Sequence, residues 1–338
     1  MKYNRIGQDT ILFNKGPKII GNFSCVGEKE GLGPLGKYFH QVLKDDLFGE
    51  SSYERAERKI LKHTIFNAIE RANLTTRDID YIIAGDLMNQ IISSSYSARE
   101  FDIPFLGLYG ACSTMAESLI IGASLVDGYF AKNVVCATAS HFSSVEKQFR
   151  FPLELGNQRP PFAQWTITGA GCSVLSLNGH GPRIKSATVG KVTDYGISDA
   201  NNMGGAMAPS ACQTLIHHLQ DVGKSPDDFD MIVTGDLGKL GSEILRDLME
   251  HEGYKLGKNY CDCGQMIYSN SQRTFQGGSG AGCSASVFNS FIIDRFKTKK
   301  ISNCLFIATG ALLSPLSTQQ GDTIPGIAHA VYIEGEEV

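Results

Sequence analysis

Within residues 52–73, apolar side chains fall at Leu61, Ile65, Ala68, Ile69 and Ala72, with polar side chains filling most of the places between them. Steps of three and four put these residues on one stripe of a helix, so the segment predicts an amphipathic helix. Thr75 and Thr76 end the pattern, and residues 79–85 follow as a short apolar run of the kind a strand buried on both faces requires. Ser113 to Phe130, rich in Ala, Gly, Ile and Leu, reads as a buried helix, and Asn133 to Ala139 as a second buried strand. The rest of the chain repeats the order: helix 210–222, strand 230–235, helices 241–252 and 283–297, strand 303–309. Strands alternating with helices predict parallel pairing, with helices covering the sheet faces. The stretch 150–165 breaks the rhythm. Its Pro160-Pro161 pair suits neither a helix interior nor a central strand, so the chain is expected to make an excursion there.

The repetition extends to the letters. Asp80-Tyr81-Ile82-Ile83-Ala84-Gly85-Asp86-Leu87 is echoed 150 residues on by Asp230-Met231-Ile232-Val233-Thr234-Gly235-Asp236-Leu237. Cys112-Ser113 is echoed by Cys283-Ser284, and Val135-Cys136-Ala137-Thr138 by Phe306-Ile307-Ala308-Thr309, both 171 residues on. Two matches at one offset point to a duplicated unit. The expected fold is α/β with two similar halves, residues 1–180 and 181–338. Recurrence of Asp86 and Asp236 in both halves favours a structural turn for each.

A length of 338 residues agrees with two such units. Hydrophobic residues at 42% and charged residues at 20% allow a large core and exclude general disorder. A net charge of −4 argues against a dedicated nucleic-acid binder. No apolar run reaches the roughly 18 residues a membrane span needs, and the N-terminus carries no apolar signal segment. The nine cysteines hold no CxxC pair, and Cys261-Asp262-Cys263 lacks the second pair of a closed zinc site. Neither a metal nor a redox centre is expected, and Cys25, Cys136, Cys172, Cys212 and Cys304 read as core packing.

Cys112 differs in its setting. It follows a strand-like stretch and opens a helix, where free N–H groups and the helix dipole lower a thiol's pKa and favour a nucleophile. The same position equally suits a small residue at a tight turn. Cys283 is its twin.

The stretch from Ser97-Ala98-Arg99 through Ile103-Pro104 to Ala111-Cys112-Ser113, with the glycine-rich loop Gly277-Gly278-Ser279-Gly280-Ala281-Gly282-Cys283-Ser284, resembles the thiolase superfamily, which includes the ketoacyl-carrier-protein synthases. The resemblance implies a thiolase-like fold: two pseudo-duplicated halves with parallel-rich mixed sheets layered between helices. It places the family's nucleophile at Cys112. Condensation in that family also needs a second-half histidine, with an asparagine or a second histidine. Where the synthases carry one histidine, this chain reads Thr234-Gly235-Asp236-Leu237-Gly238, and its glycine-rich loop offers Gly278-Ser279-Gly280. Beyond residue 218 there remain His251, in a charged helix end, and His329, in an apolar strand where a core role is expected. Ordinary condensation is therefore not expected, although an acyltransferase using Cys112 stays open as the alternative.

Longer strings are similar to a non-enzymatic branch of that superfamily from spore-forming Firmicutes. They include Asn22-Phe23-Ser24, Gly31 to Gly36, Gly85 to Gln90, Phe105 to Met115 and Asn157 to Thr166. This resemblance implies binding of dipicolinic acid (pyridine-2,6-dicarboxylate), free or as its calcium chelate, with calcium present only in that form and no other cofactor. It implies uptake of that compound into the forespore together with small membrane proteins of the same operon. The location implied is cytoplasmic, peripheral to the inner spore membrane. Around Arg99 it implies a homodimer contact. For the ligand, Cys112, Ser113 and Ser279 mark the cavity, with the N–H groups at Ser113-Thr114 as donors. His141 is placed to reach it, Arg150 and Arg159 are candidate carboxylate clamps, and Phe162 or Trp165 offers a ring to stack on.

Overall fold

The strand order repeats itself across the sheet. The computed structural model describes residues 3–149 and 159–336. The first half supplies β1 (Lys18–Val26), β2 (Tyr81–Gly85), β3 (Phe105–Gly107), β4 (Asn133–Ser140) and β5 (Gly169–Ser176). The second supplies β6 (Arg183–Thr188), β7 (Met231–Thr234), β8 (Tyr260–Asp262), β9 (Asn303–Ala311) and β10 (Gly326–Glu334). They lie in the order β3-β2-β4-β5-β1-β6-β10-β9-β7-β8, a palindrome about the β1–β6 junction. That junction is one antiparallel pairing, Arg183 with Lys18.

The strands read from the echoes pair in parallel, β2 with β3 and β4, and β7 with β8 and β9. The others are antiparallel: β5 lies against β4 and β1, and β10 against β9 and β6. The sheet is therefore mixed, as the family resemblance implied, and not purely parallel as the alternation of elements alone suggested. Periodicity misses β1 and β5 for a physical reason. Gly169–Ser176 is buried at every position and built mostly from Gly, Ala, Ser and Cys, with Val174 and Leu175 adjacent, so no alternation of polar and apolar faces marks it as a strand.

The helices are α1 (Tyr53–Arg71), α2 (Ile92–Ala98), α3 (Thr114–Asp127), α4 (Phe142–Phe149), α5 (Met203–Val222), α6 (Gly238–His251), α7 (Ala281–Val287) and α8 (Ile293–Lys297), the last two joined by a π-helical turn at Phe288–Ile292. Ser52 caps α1 by accepting from Arg55 N–H, and Asn202 caps α5 by accepting from Gly205 N–H. Helix α5 starts seven residues before the 210 expected, because Gly204, Gly205 and Pro209 are poor helix formers that burial overrides. α1 covers the first-half strands on the outside and α5 the second-half strands, while α3 and α7 lie between the two sheet halves. Their seam is apolar: Phe288 meets Phe306 of β9 at 4.7 Å between ring centroids. Leu119 and Met115 are fully buried beside it, each contributing roughly 1.5–3 kcal/mol. No helix of the described residues is long and apolar enough to cross a membrane. The helix starts of α3 and α7, where Cys112 and Ser279 stand, are brought face to face by this layering.

Candidate functional site

After β3 the chain turns into α3 through Gly110 and a 3-10 turn, Ala111–Ser113. Ala111 holds a left-handed φ of 51°, which costs about 1 kcal/mol in a residue with a Cβ. The turn is held by its own groups. Ser113 N–H and hydroxyl both donate to Gly110 O, at 3.0 and 2.6 Å. Thr114 Oγ1 accepts from Gly110 N–H at 3.0 Å and donates to Ala111 O at 2.7 Å. The donors expected to await a ligand at Ser113 and Thr114 are therefore spent inside the turn, and Ser113 faces away from the cavity described below.

Across from Cys112 stands Ser279. Gly278–Ser279 forms a two-residue parallel ladder with Trp165–Thr166, and Gly280 then turns with φ 109° into α7. This brings Ser279 Oγ to 3.9 Å from Cys112 Sγ. Behind Ser279 lies the fully buried carboxyl group of Asp236. It accepts the Ser279 hydroxyl at 2.8 Å and Gly280 N–H at 3.1 Å on Oδ2, and the Thr309 hydroxyl at 2.8 Å on Oδ1. Burial raises the Asp236 pKa, and these hydrogen bonds oppose the rise.

The effect on Cys112 reverses the expectation from its helix start. Burial pushes the thiol's pKa well above the ordinary value, and the Asp236 carboxyl beside it pushes further the same way. Both effects favour the thiol over the thiolate. Sequence reading placed Asp236 with Asp86 as turn residues, and only Asp86 behaves so, accepting Met88 N–H at 2.8 Å and Ser94 N–H at 2.7 Å. The signal for Asp236 was its position, where the resemblance puts a catalytic histidine.

Cys112 and Ser279 open on a cavity of about 240 Å³. Its wall mixes apolar groups, among them Leu87, Val145, Phe149 and Leu313, with polar groups at Tyr109, Glu146, Thr166, Asn201 and Gln319. Both halves contribute. Tyr109, Glu146 and Asn201 were not anticipated, and no motif marks them. They arrive through the end of β3, through α4 and through the approach to α5.

Of the other anticipated residues, Arg150 lies outside the described residues. His141 is buried but turned away from the cavity: its Nε2 lies 2.7 Å from Asp46 O, its Nδ1 accepts Ser143 N–H at 3.2 Å, and its ring packs on Tyr53. Burial depresses its pKa. Arg159 is engaged by Glu146 in a buried ion pair and donates to Gln164 O at 2.6 Å, so its guanidinium is already held by a carboxylate of the cavity wall. Phe162 lies on an exposed turn away from the cavity. Trp165 stacks on Phe142, with ring centroids 4.1 Å apart and planes within 10°, and is flanked by Lys29 and Arg159; its ring faces are covered by the protein itself.

The remaining cysteines read as core residues are buried, and Cys283 points its thiol at Gly235 O at 3.7 Å. His329 is a core histidine whose Nδ1 accepts Gly190 N–H at 3.1 Å, and the His251 side chain is 87% exposed.

Comparison with known proteins bears on the family and the fold. The chain matches the family model of Stage V sporulation protein AD over residues 7–334. It is 43% identical over 328 residues to Stage V sporulation protein AD of Bacillus subtilis (strain 168), covering 97% of each chain. Among solved structures it resembles 3-oxoacyl-[acyl-carrier-protein] synthase III from Aquifex aeolicus, with a TM-score of 0.59, 14% identity, and 94% and 100% of the two chains covered. It also resembles human mitochondrial 3-ketoacyl-CoA thiolase in complex with CoA, with a TM-score of 0.59, 11% identity, and 95% and 98% covered. These structures share the fold, which is therefore thiolase-like.

Proposed function

The chain belongs to the Stage V sporulation protein AD family, and from that premise we propose that it is a non-catalytic thiolase-fold protein whose Cys112 cavity binds dipicolinic acid for uptake into the forespore. One observation carries the non-catalytic part. The group beside the thiol is a serine backed by the Asp236 carboxyl, at 3.9 Å and 2.8 Å in turn, and no histidine is among the described residues that line the cavity. Acyl transfer from Cys112 needs a thiolate and a base to make it; here a neighbouring acid raises the thiol pKa.

The cavity supports a small, flat acid. Phe149 and Tyr109 give it ring surfaces, and Tyr109, Asn201, Thr166 and Gln319 give it hydrogen-bond donors. Its charge is a sharper criterion. Glu146 is the one ionisable carboxylate among the lining residues described, and Asp236 stands behind Ser279. No Lys or Arg is among the described lining residues and Arg159 is already paired with Glu146, so a bare dianion meets no counter-charge there, whereas the calcium chelate is neutral overall. The chelate is thus the species this wall favours. Small membrane proteins of the same operon are the proposed partners, at the inner spore membrane. A homodimer fits the open edge of β3, which among the described residues pairs with β2 alone.

Calorimetry with dipicolinate, alone and with calcium, tests the reading. Saturable binding lost in a cavity-blocking Ala311→Trp variant is expected. No heat in either form overturns it. Incubation with acetyl- and malonyl-thioesters followed by mass spectrometry checks the acyltransferase alternative, and an unmodified Cys112 is expected.

A further inference from the structure

A carboxyl group sits where the fold gives it almost no support. Glu57 on α1 is fully buried. Its Oε2 accepts the Ser144 hydroxyl of α4 at 2.6 Å, while Oε1 closes no hydrogen bond. The hydroxyls of Ser93 and Ser94 on α2 are buried as well, Ser93 acting on Glu57 and Ser94 on Asp86. The second carboxyl, Asp86, is fully buried in the turn after β2, with both oxygens taken by backbone N–H groups.

Both acids stand behind the cavity wall. Asp86 precedes Leu87, and Ser144 precedes Val145 and Glu146, all three of which line the cavity. Helix α4 begins at Phe142, whose ring stacks on Trp165, the single tryptophan of the chain. The Ser144–Glu57 bond is the buried tie between α4 and α1. The Lys147–Glu54 pair at 3.1 Å is an exposed one and holds weakly.

We propose that Glu57 is a positioning residue that keeps α4 in place only while it carries a proton, so that the wall of the Cys112 cavity loosens as Glu57 ionises. A proton on Oε1 gives that atom something to donate, and the Ser93 hydroxyl oxygen is an acceptor beside it. An ionised Glu57 has only the neutral hydroxyls of Ser144 and Ser93 to meet its charge, and it faces the Asp86 carboxyl across a dry interior. The groups around it do not compensate. On its own helix Glu54 adds negative charge, and Arg58 acts on Asp86. The strands under α1 bring only the thiols Cys25 and Cys172, which burial keeps un-ionised. From α4, Lys147 is paired with Glu54 and Glu146 with Arg159. His141, before α4, is bound to Asp46 O. Burial first, and Asp86 second, hold the Glu57 pKa well above the carboxylate range.

Trp165 provides a readout that needs no ligand, so this inference stands or falls apart from the dipicolinate reading. Its emission is titrated from about pH 5 to about pH 9, a span that includes documented pKa values of buried glutamates. A one-proton transition is expected in the unmodified protein. Glu57→Gln, a neutral isostere that still accepts from Ser144, is expected to keep the low-pH spectrum throughout. Asp86→Asn is expected to move the transition to lower pH, and Ser144→Ala to give the high-pH spectrum at every pH. Absence of a transition in the unmodified protein, or its survival in Glu57→Gln, overturns the proposal. If Glu57→Gln does not fold, the direction of the Asp86→Asn shift decides.

Discussion

The hydroxyl of Ser279 donates to Asp236 Oδ2 at 2.8 Å, so the lone pairs of the serine oxygen, and not its proton, are left to face Cys112. This orientation suits a thiol that keeps its proton. It predicts that Asp236→Asn makes Cys112 more reactive, because removing the carboxyl removes one of the two causes of the raised pKa. Each unit of fall in pKa multiplies the thiolate fraction about tenfold. Alkylation of Cys112 by iodoacetamide at about pH 8, followed by peptide mass spectrometry, is expected to speed up by roughly that factor or more. An unchanged rate would mean that burial alone sets the thiol.

The charge of the cavity wall predicts a ranking of ligand forms. Calorimetry is expected to give tighter binding of the calcium chelate than of the free dianion, by about tenfold, equivalent to about 1.4 kcal/mol. Glu146→Gln is expected to narrow the gap by improving the free acid. A free acid that binds more tightly than the chelate contradicts this account of the wall.

Glu30 gives a pH dependence of stability with a definite sign. It accepts from Tyr268 Oη and from Thr168 N–H, and burial pushes its pKa up to about 7 despite those bonds. An acid whose folded pKa is raised stabilises fully below its unfolded value and loses that contribution as pH rises through the folded one. The loss between about pH 4.5 and about pH 7 is on the order of 3 kcal/mol. Urea unfolding of the unmodified protein and of Glu30→Gln is expected to show their stability difference shifting by that amount in favour of the glutamine at the higher pH. Comparing the two cancels the buried histidines, among them His218 and His329 with pKa values lowered to about 4, whose contributions fall in the opposite direction, as pH drops.

Gly310 on β9 runs against the Cys112 turn so closely that an added Cβ would lie 2.4 Å from Gly110 O. Backbone on both sides cannot yield cheaply. Gly310→Ala is expected to destabilise the fold by about 1–3 kcal/mol, read by urea unfolding, and to weaken ligand binding by displacing Cys112. A neutral substitution would mean the turn is looser than this contact implies.

Among the described residues no strand pairs with the outer edge of β3, beside the exposed Leu106 and Tyr109. Such an edge is normally covered. Light scattering after size exclusion is expected to show a dimer, and Leu106→Lys a monomer. A monomer in both would remove the homodimer from the account.

What the residues declared on their own was governed by contrast. The echoes ending in Gly85-Asp86 and Gly235-Asp236, and the helical spacing of Leu61 to Ala72, are strong local patterns, and the elements they mark are present. β5 was silent because small residues buried on both faces leave no alternation. At the site, Cys112 and Ser279 were legible because glycine-rich turns and helix starts are local features. Their setting was not. Asp236 counts as a site residue through Ser279, forty-three positions away, and Glu146 is held at the cavity wall by its pair with Arg159. His141 and Arg159 had the right chemistry for a carboxylate and Phe162 for an aromatic ring, but what they touch depends on packing that spacing does not encode. The helix-start argument for Cys112 failed because desolvation and a neighbouring acid outweigh a half-charge whose N–H groups are already spent.

The ladder that joins Trp165–Thr166 to Gly278–Ser279 crosses from one copy of the duplicated unit to the other. The pocket is consequently a property of the junction and is owned by neither copy. A gene cut between the copies would yield two fragments, each carrying part of a wall and no receptor. Recovered binding on mixing them would count re-docked molecules directly.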